Sequence, residues 1–109
     1  MAQRIANINK WIMETQEKLG EEIEAISLMR NDETIYYEGS EIEKALKRCD
    51  IDFELGFGCG CEAPFVFIVW FQNHIMIEVD YDYLVFHNLI PRNPDKDFIP
   101  SSYGTSNFI

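Results

Sequence analysis

Between Cys49 and Pro91 the chain contains neither lysine nor arginine. Over its whole length 9 basic residues face 19 acidic ones, for a net charge of −10. Proteins that hold nucleic acid or anionic lipid directly do so with clusters of Lys and Arg, so this scarcity argues against both as partners. A basic protein surface is the complementary partner. Cysteine is scarce too: Cys49, Cys59 and Cys61 are an odd set, which does not make a disulfide framework. The opening MAQRIANINKW lacks the apolar run and small-residue cleavage site of a secretory signal, so a cytoplasmic location with reduced thiols is expected. The longest apolar run, APFVFIVWF at 63–71, is too short to cross a bilayer as a helix.

What is present suits a folded domain. The 109 residues are 47% hydrophobic and 14% aromatic, well above the composition of a disordered acidic tail. From Arg4 to Leu19 the apolar positions Ile5, Ile8, Trp11, Ile12 and Leu19 have helical spacing, and Gly20 is placed to end the helix. EEIEAISLM at 21–29 fits neither period cleanly and is read as a strand, followed by a turn at RNDE and a second strand at TIYY. In GSEIEKALKRC, Ser40 as N-cap and Glu43 three residues on predict a capping box, with Lys44, Lys47 and Arg48 at the helix end.

IDFELGFGCGCE at 51–62 alternates strictly, with Ile51, Phe53, Leu55, Phe57, Cys59 and Cys61 on one face. FVFIVWF is apolar at both parities, which predicts a central strand covered on both faces. QNH at 72–74 is a hairpin turn, and HIMIEVDY and YLVFHNLI are two more strands. The prolines at 91, 94 and 100 make 92–109 a loop-like tail. The expectation is a single α+β domain, an antiparallel sheet of about five to six strands with two helices packed on one side.

Several kinds of site do not fit these residues. GFGCGC continues a strand between acidic neighbours, whereas a phosphate loop opens a helix, so its glycines are read as flattening one sheet face. Cys59 and Cys61 with Cys49 and His74 would make a poor zinc set, because single-residue spacing on a strand points ligands in parallel. Nor is a cation in view to lower a thiol pKa for redox work, so all three cysteines are expected as small buried hydrophobes. His74 in the turn and His87 on a strand have no triad-like context. Carboxyls such as Asp80 and Asp82 are expected on a solvated strand face or turn rather than in the apolar cleft that acid catalysis needs. No catalytic residue, metal or cofactor is therefore assigned.

The acids themselves remain. In EVDYDYLVFHNLIP, Glu78, Asp80 and Asp82 alternate along a strand and would stand roughly 6.6 Å apart on one face. Residues 14 to 43 hold ten acids against Lys18 and Arg30. Fixed rows of carboxylates imitate a nucleic-acid backbone. Pro64 and Phe65 opening a strand, Gln72 at its end, Ile75 and Ile77, then DYLVFHNLIP from Asp82 to Pro91, together resemble the staphylococcal inhibitors of uracil-DNA glycosylase. The phage inhibitors of the same enzyme are similar in layout: a first helix, a strand with a glutamate near a Leu-Met pair (here Glu24, Leu28 and Met29), a short acidic helix, then antiparallel strands. The chain departs from both patterns, with almost no loop between Asp80 and Asp82 and with Ala25 where the phage type has its glutamate.

The resemblance implies a non-enzymatic DNA mimic that blocks the DNA-binding groove of a basic enzyme, uracil-DNA glycosylase by family. The expected partner-binding residues are Glu21, Glu22, Glu24, Asp52, Glu54, Glu78, Asp80 and Asp82, with Leu28 or Met29 as an exposed apolar group filling a pocket. Replacing Glu78, Asp80 and Asp82 together, or Glu21, Glu22 and Glu24, is expected to leave stability level or raise it, because self-repulsion is relieved. An immunity protein or antitoxin that neutralises a basic nuclease toxin would present the same acidic surface.

Overall fold

A computed structural model describes residues 4–55, 63–81, 84–94, 96 and 97. The chain opens with a short strand, β1 (Arg4–Asn7), and turns directly into helix α1 (Ile8–Leu19). The helix expected from Arg4 thus begins four residues later. Asn7 is the reason: its backbone is extended (φ −154°, ψ 118°), and its Oδ1 accepts the Lys10 N–H at 3.0 Å, capping the first turn. Gly20 closes the helix as expected, in the left-handed region at φ 67°, with its N–H on the Gln16 carbonyl at 2.8 Å.

Strands β2 (Ile23–Arg30) and β3 (Glu33–Glu38) form a hairpin. Its two turn residues, Asn31 (φ 50°) and Asp32 (φ 66°), both have positive φ, the backbone that a right-twisted two-residue hairpin demands and that Asn and Asp tolerate. The expected capping box does not form. The chain leaves β3 through Gly39 at φ 58° into a 3₁₀ turn (Gly39–Glu41), so Ser40 is already inside the turn when α2 (Ile42–Arg48) begins, and neither helical start has a side-chain cap. Glu41 pairs with Lys44 at 3.0 Å instead.

The later strands are β4 (Asp52–Leu55), β5 (Val66–Phe71), β6 (His74–Tyr81) and β7 (Leu84–Pro91). Five strands make one antiparallel sheet in the order β3-β2-β5-β6-β7, while β4 pairs antiparallel with β1 in a separate two-stranded sheet. The fold is α+β, as expected, with both helices on one side of the main sheet. The alternating segment beyond Leu55, with Cys59 and Cys61, and the tail from residue 98 lie outside the described residues.

The core lies between the main sheet and the helices. Phe67, Val69 and Phe71 of β5, Ile26 and Leu28 of β2 and Met76 of β6 meet Ile8 and Ile12 of α1 and Ala45 of α2. Trp11 stands edge to face with Phe53 at 5.8 Å and leans on Phe67 at 6.3 Å, which holds the small sheet, helix and main sheet together. Burying each large side chain stabilises by about 1.5–3 kcal/mol. Cys49 is fully buried here, the small hydrophobe it was expected to be. Strand β5 departs from expectation. It is central, but only Phe67, Val69 and Phe71 are buried; Ile68 and Trp70 are half-buried and Val66 is exposed. One of its two apolar faces has no covering layer among the described residues.

Candidate functional site

That uncovered face can be followed from strand to strand by register. One row across the sheet is Glu38, Ala25, Trp70, Ile75 and Ile90, and the next is Tyr36, Ser27, Ile68, Ile77 and Asn88. Alternation puts Met29 and Val66, paired directly, on the same side. None of the apolar members belongs to the core cluster or packs against it; Ala25 is buried, but on the uncovered side. Tyr36 is 55% exposed and Val66 47% exposed. Large contiguous apolar patches that remain accessible are characteristic of interaction and ligand-binding surfaces.

Small residues in the middle of the face let large ones close over it. Ala25 and Ser27 are buried although no described helix covers them, because the Tyr36 and Trp70 rings meet above β2, edge to face, at 5.9 Å. At that corner the face opens into a 340 Å³ depression lined by Glu24, Ala25, Tyr36, Glu38, Gly39, Trp70 and Arg92. A β-bulge between Ile23 and Ala25 brings Glu24 into it. Arg92, just past β7, reaches back and donates to Glu24 and, at 3.0 Å, to the Phe71 carbonyl. Desolvation, the hydrogen bond to Glu38 and the charge of that carboxylate hold the Tyr36 phenol above its ordinary pKa, with Arg92 pulling the other way.

The acids expected at a partner surface separate in space. Glu24 and Met29 lie on the uncovered face. Leu28 does not: it is 2% exposed, between the sheet and the helices, and cannot fill a partner's pocket. Strand parity explains the split, since successive residues face opposite ways. Glu21 is engaged within the fold, accepting the Asn73 N–H and bonding His74 Nδ1, each at 2.7 Å, so it staples the β5–β6 turn. Glu22 is exposed, with its N–H on Gln72 Oε1 at 3.1 Å. Asp52 and its neighbour Asp50 accept from Asn7 Nδ2 at 2.8 and 2.9 Å, joining β4 to the helix start. Glu54 is exposed on the small sheet.

Glu78, Asp80 and Asp82 do not stand as one solvated row among the described residues. Glu78 has the strand parity of the fully buried Met76, so it lies on the helix-covered face and is half-buried, not on a solvated one. The Asp80 side chain and all of Asp82 lie outside the described residues. Two of the arginines are engaged away from the acids: Arg48 donates to the Tyr37 hydroxyl at 2.8 Å, and Arg48 and Arg30 lie over the Phe65 ring at 5.1 and 5.9 Å. Exposed acids such as Glu22, Glu33 and Glu43 form no ion pair among the described residues.

Cys49 and His74 do not form a metal pair. Cys49 is enclosed in the core with its Sγ on the Leu46 carbonyl at 3.5 Å, and burial pushes the thiol up to about 11, while His74 is held by Glu21. Among the described residues no group of three His, Cys, Asp or Glu could hold a metal ion. No described helix is long and apolar enough to cross a membrane.

Sequence reasoning missed Tyr36, Glu38, Trp70 and Arg92. The signal is present in FVFIVWF, apolar at both parities, but such a run equally fits a strand covered on both faces. Compared with known proteins, the chain matches no family model, no curated protein and no solved structure.

Proposed function

We propose that this protein is a non-enzymatic acidic inhibitor that occupies the DNA-binding groove of a DNA-handling enzyme, with uracil-DNA glycosylase the target that the resemblance implies. The observation that carries this reading is the uncovered apolar sheet face bordered by Glu24 and Glu38, on a chain of net charge −10. A protein interface joins an apolar centre to a polar rim, and this face has both. The layout also supports it: a first helix, a strand bearing Glu24 and Met29 in a hairpin, a short helix with acids at its start, then β4 of the small sheet and three antiparallel strands of the main sheet. Met29 and Trp70 supply the apolar contact, and the surrounding carboxylates steer a basic groove towards it.

Association should be fast and should slow steeply with added salt, while dissociation responds less. The test is uracil excision by a panel of bacterial glycosylases with the purified protein at stoichiometric amounts. Loss of excision by at least one enzyme, relieved by salt and by Met29→Ala, is the expected result. Undiminished excision across the panel overturns the assignment of target.

A further inference from the structure

We infer that the corner depression on the uncovered face is a recognition pocket for a guanidinium group, the side chain of an arginine presented by a partner protein. It rests on the reading of the partner as a basic protein surface, though not on which enzyme that partner is.

Three features argue for this ligand. The walls combine two aromatic rings, Tyr36 and Trp70, with two carboxylates, Glu24 and Glu38. Planar cations stack on such rings and bind carboxylates through paired N–H donors, whereas an ammonium group offers a point charge without the fork. The fold already places a guanidinium at one side of the depression, since Arg92 donates to Glu24 and to the Phe71 carbonyl. One internal cation against two carboxylates leaves a negative charge on the Glu38 side, which is felt by the Tyr36 phenol. A second guanidinium would make two charges of each sign.

Space is available as well. The depression measures 340 Å³ and opens to solvent, and a Cβ built at Gly39 meets nothing within 4 Å. An alkyl stem can lie along the exposed Tyr36 ring. The pocket and the apolar rows of the sheet are continuous, so one partner can seat an arginine in the corner and apolar side chains along the face.

The experiment uses the full chain and small probes. The chain has two tryptophans, and they report separately: Trp70 borders the depression, while Trp11 packs against Phe53 and Phe67 on the opposite side of the sheet. Titration with ethylguanidinium, followed by the indole N–H resonances, should move Trp70 and leave Trp11 in place. Ethylurea, a neutral analogue of nearly the same shape, should do nothing at equal concentration, and ethylammonium should bind more weakly. Glu38→Gln should weaken ethylguanidinium binding roughly tenfold, the effect of losing one charge-assisted contact. Tyr36→Ala should weaken it too, with an unmoved Trp11 resonance proving that each variant is folded.

Equal shifts with ethylurea, equal shifts of both indoles, or full binding by Glu38→Gln would overturn the pocket. The uracil-excision assay decides the wider reading separately. Specific guanidinium binding without inhibition refutes the enzyme target and keeps the pocket, and inhibition that survives a failed titration does the reverse.

Discussion

The Tyr36 and Trp70 rings meet at 5.9 Å and 68° across the strand that separates them, on the side of the sheet that no described helix covers. They roof Ala25 and Ser27, so a face with little of its own covering still excludes water at its centre. An aromatic pair held this way is worth about 0.5–1.5 kcal/mol beyond the area it buries.

Trp70→Ala should therefore cost less stability than Phe67→Ala, although both residues lie on the same strand. Phe67 is fully buried, and its loss should cost about 3–5 kcal/mol in urea unfolding. Half-buried Trp70 should cost roughly 1–2 kcal/mol and abolish partner binding. Equal losses would place Trp70 in the core and remove the uncovered face from the functional account.

Leu28 and Met29 separate the same two roles at adjacent positions. Leu28→Ala opens a cavity beneath the sheet and should destabilise by about 2–5 kcal/mol. Met29→Ala should stay within about 1 kcal/mol and weaken inhibition instead. Paired denaturation and inhibition curves on the two variants measure both.

Glu21 and Glu22 should differ in the opposite way from what a common acidic surface implies. Glu21→Ala strips the Asn73 N–H and His74 of their acceptor, and should cost about 1–3 kcal/mol. Glu22→Gln should change stability by less than about 0.5 kcal/mol while slowing association at low salt. A Glu21 variant as stable as the wild type would return that residue to the partner surface.

Cys49 links stability to alkaline pH. Burial raises its thiol from 9.0 to about 11, so the folded chain holds that proton more tightly than the unfolded chain does. The contribution is full below pH 9 and lost as pH rises towards 11. By pH 11 the loss is about 2 kcal/mol. The stability gap between wild type and Cys49→Ala, from denaturation at pH 8 and at pH 11, should narrow by that amount, since other groups titrate in both proteins. A gap independent of pH would mean that the thiol is not shielded.

Much of the architecture was legible in the residues. Gly20 ended its helix, Asn31 and Asp32 made the hairpin turn, and the apolar run at 66–71 became the middle strand, because each signal acts within a few residues along the chain. The N-terminal strand was not legible. Ile5 continues the helical spacing of Ile8 and Ile12, and only pairing with β4, some 50 residues away, together with the Asn7 cap, draws Arg4–Asn7 out of the helix. The capping box failed for a similar reason, since its spacing is right and the entry angle from β3 is not.

The sign of the charge, the scarcity of cations and the two apolar parities of β5 are properties of composition and period, and they hold whatever the chain folds into. Tertiary structure decided which acids face outwards and which apolar parity is covered. Among the described residues α1, α2 and the small sheet pack on one side, which leaves Tyr36 exposed and Trp70 half-buried, encloses Leu28, puts Glu78 on the covered side and makes Glu21 a staple. Those outcomes depend on which layers meet, and contacts between elements far apart in the chain are set by the three-dimensional arrangement rather than by any local pattern.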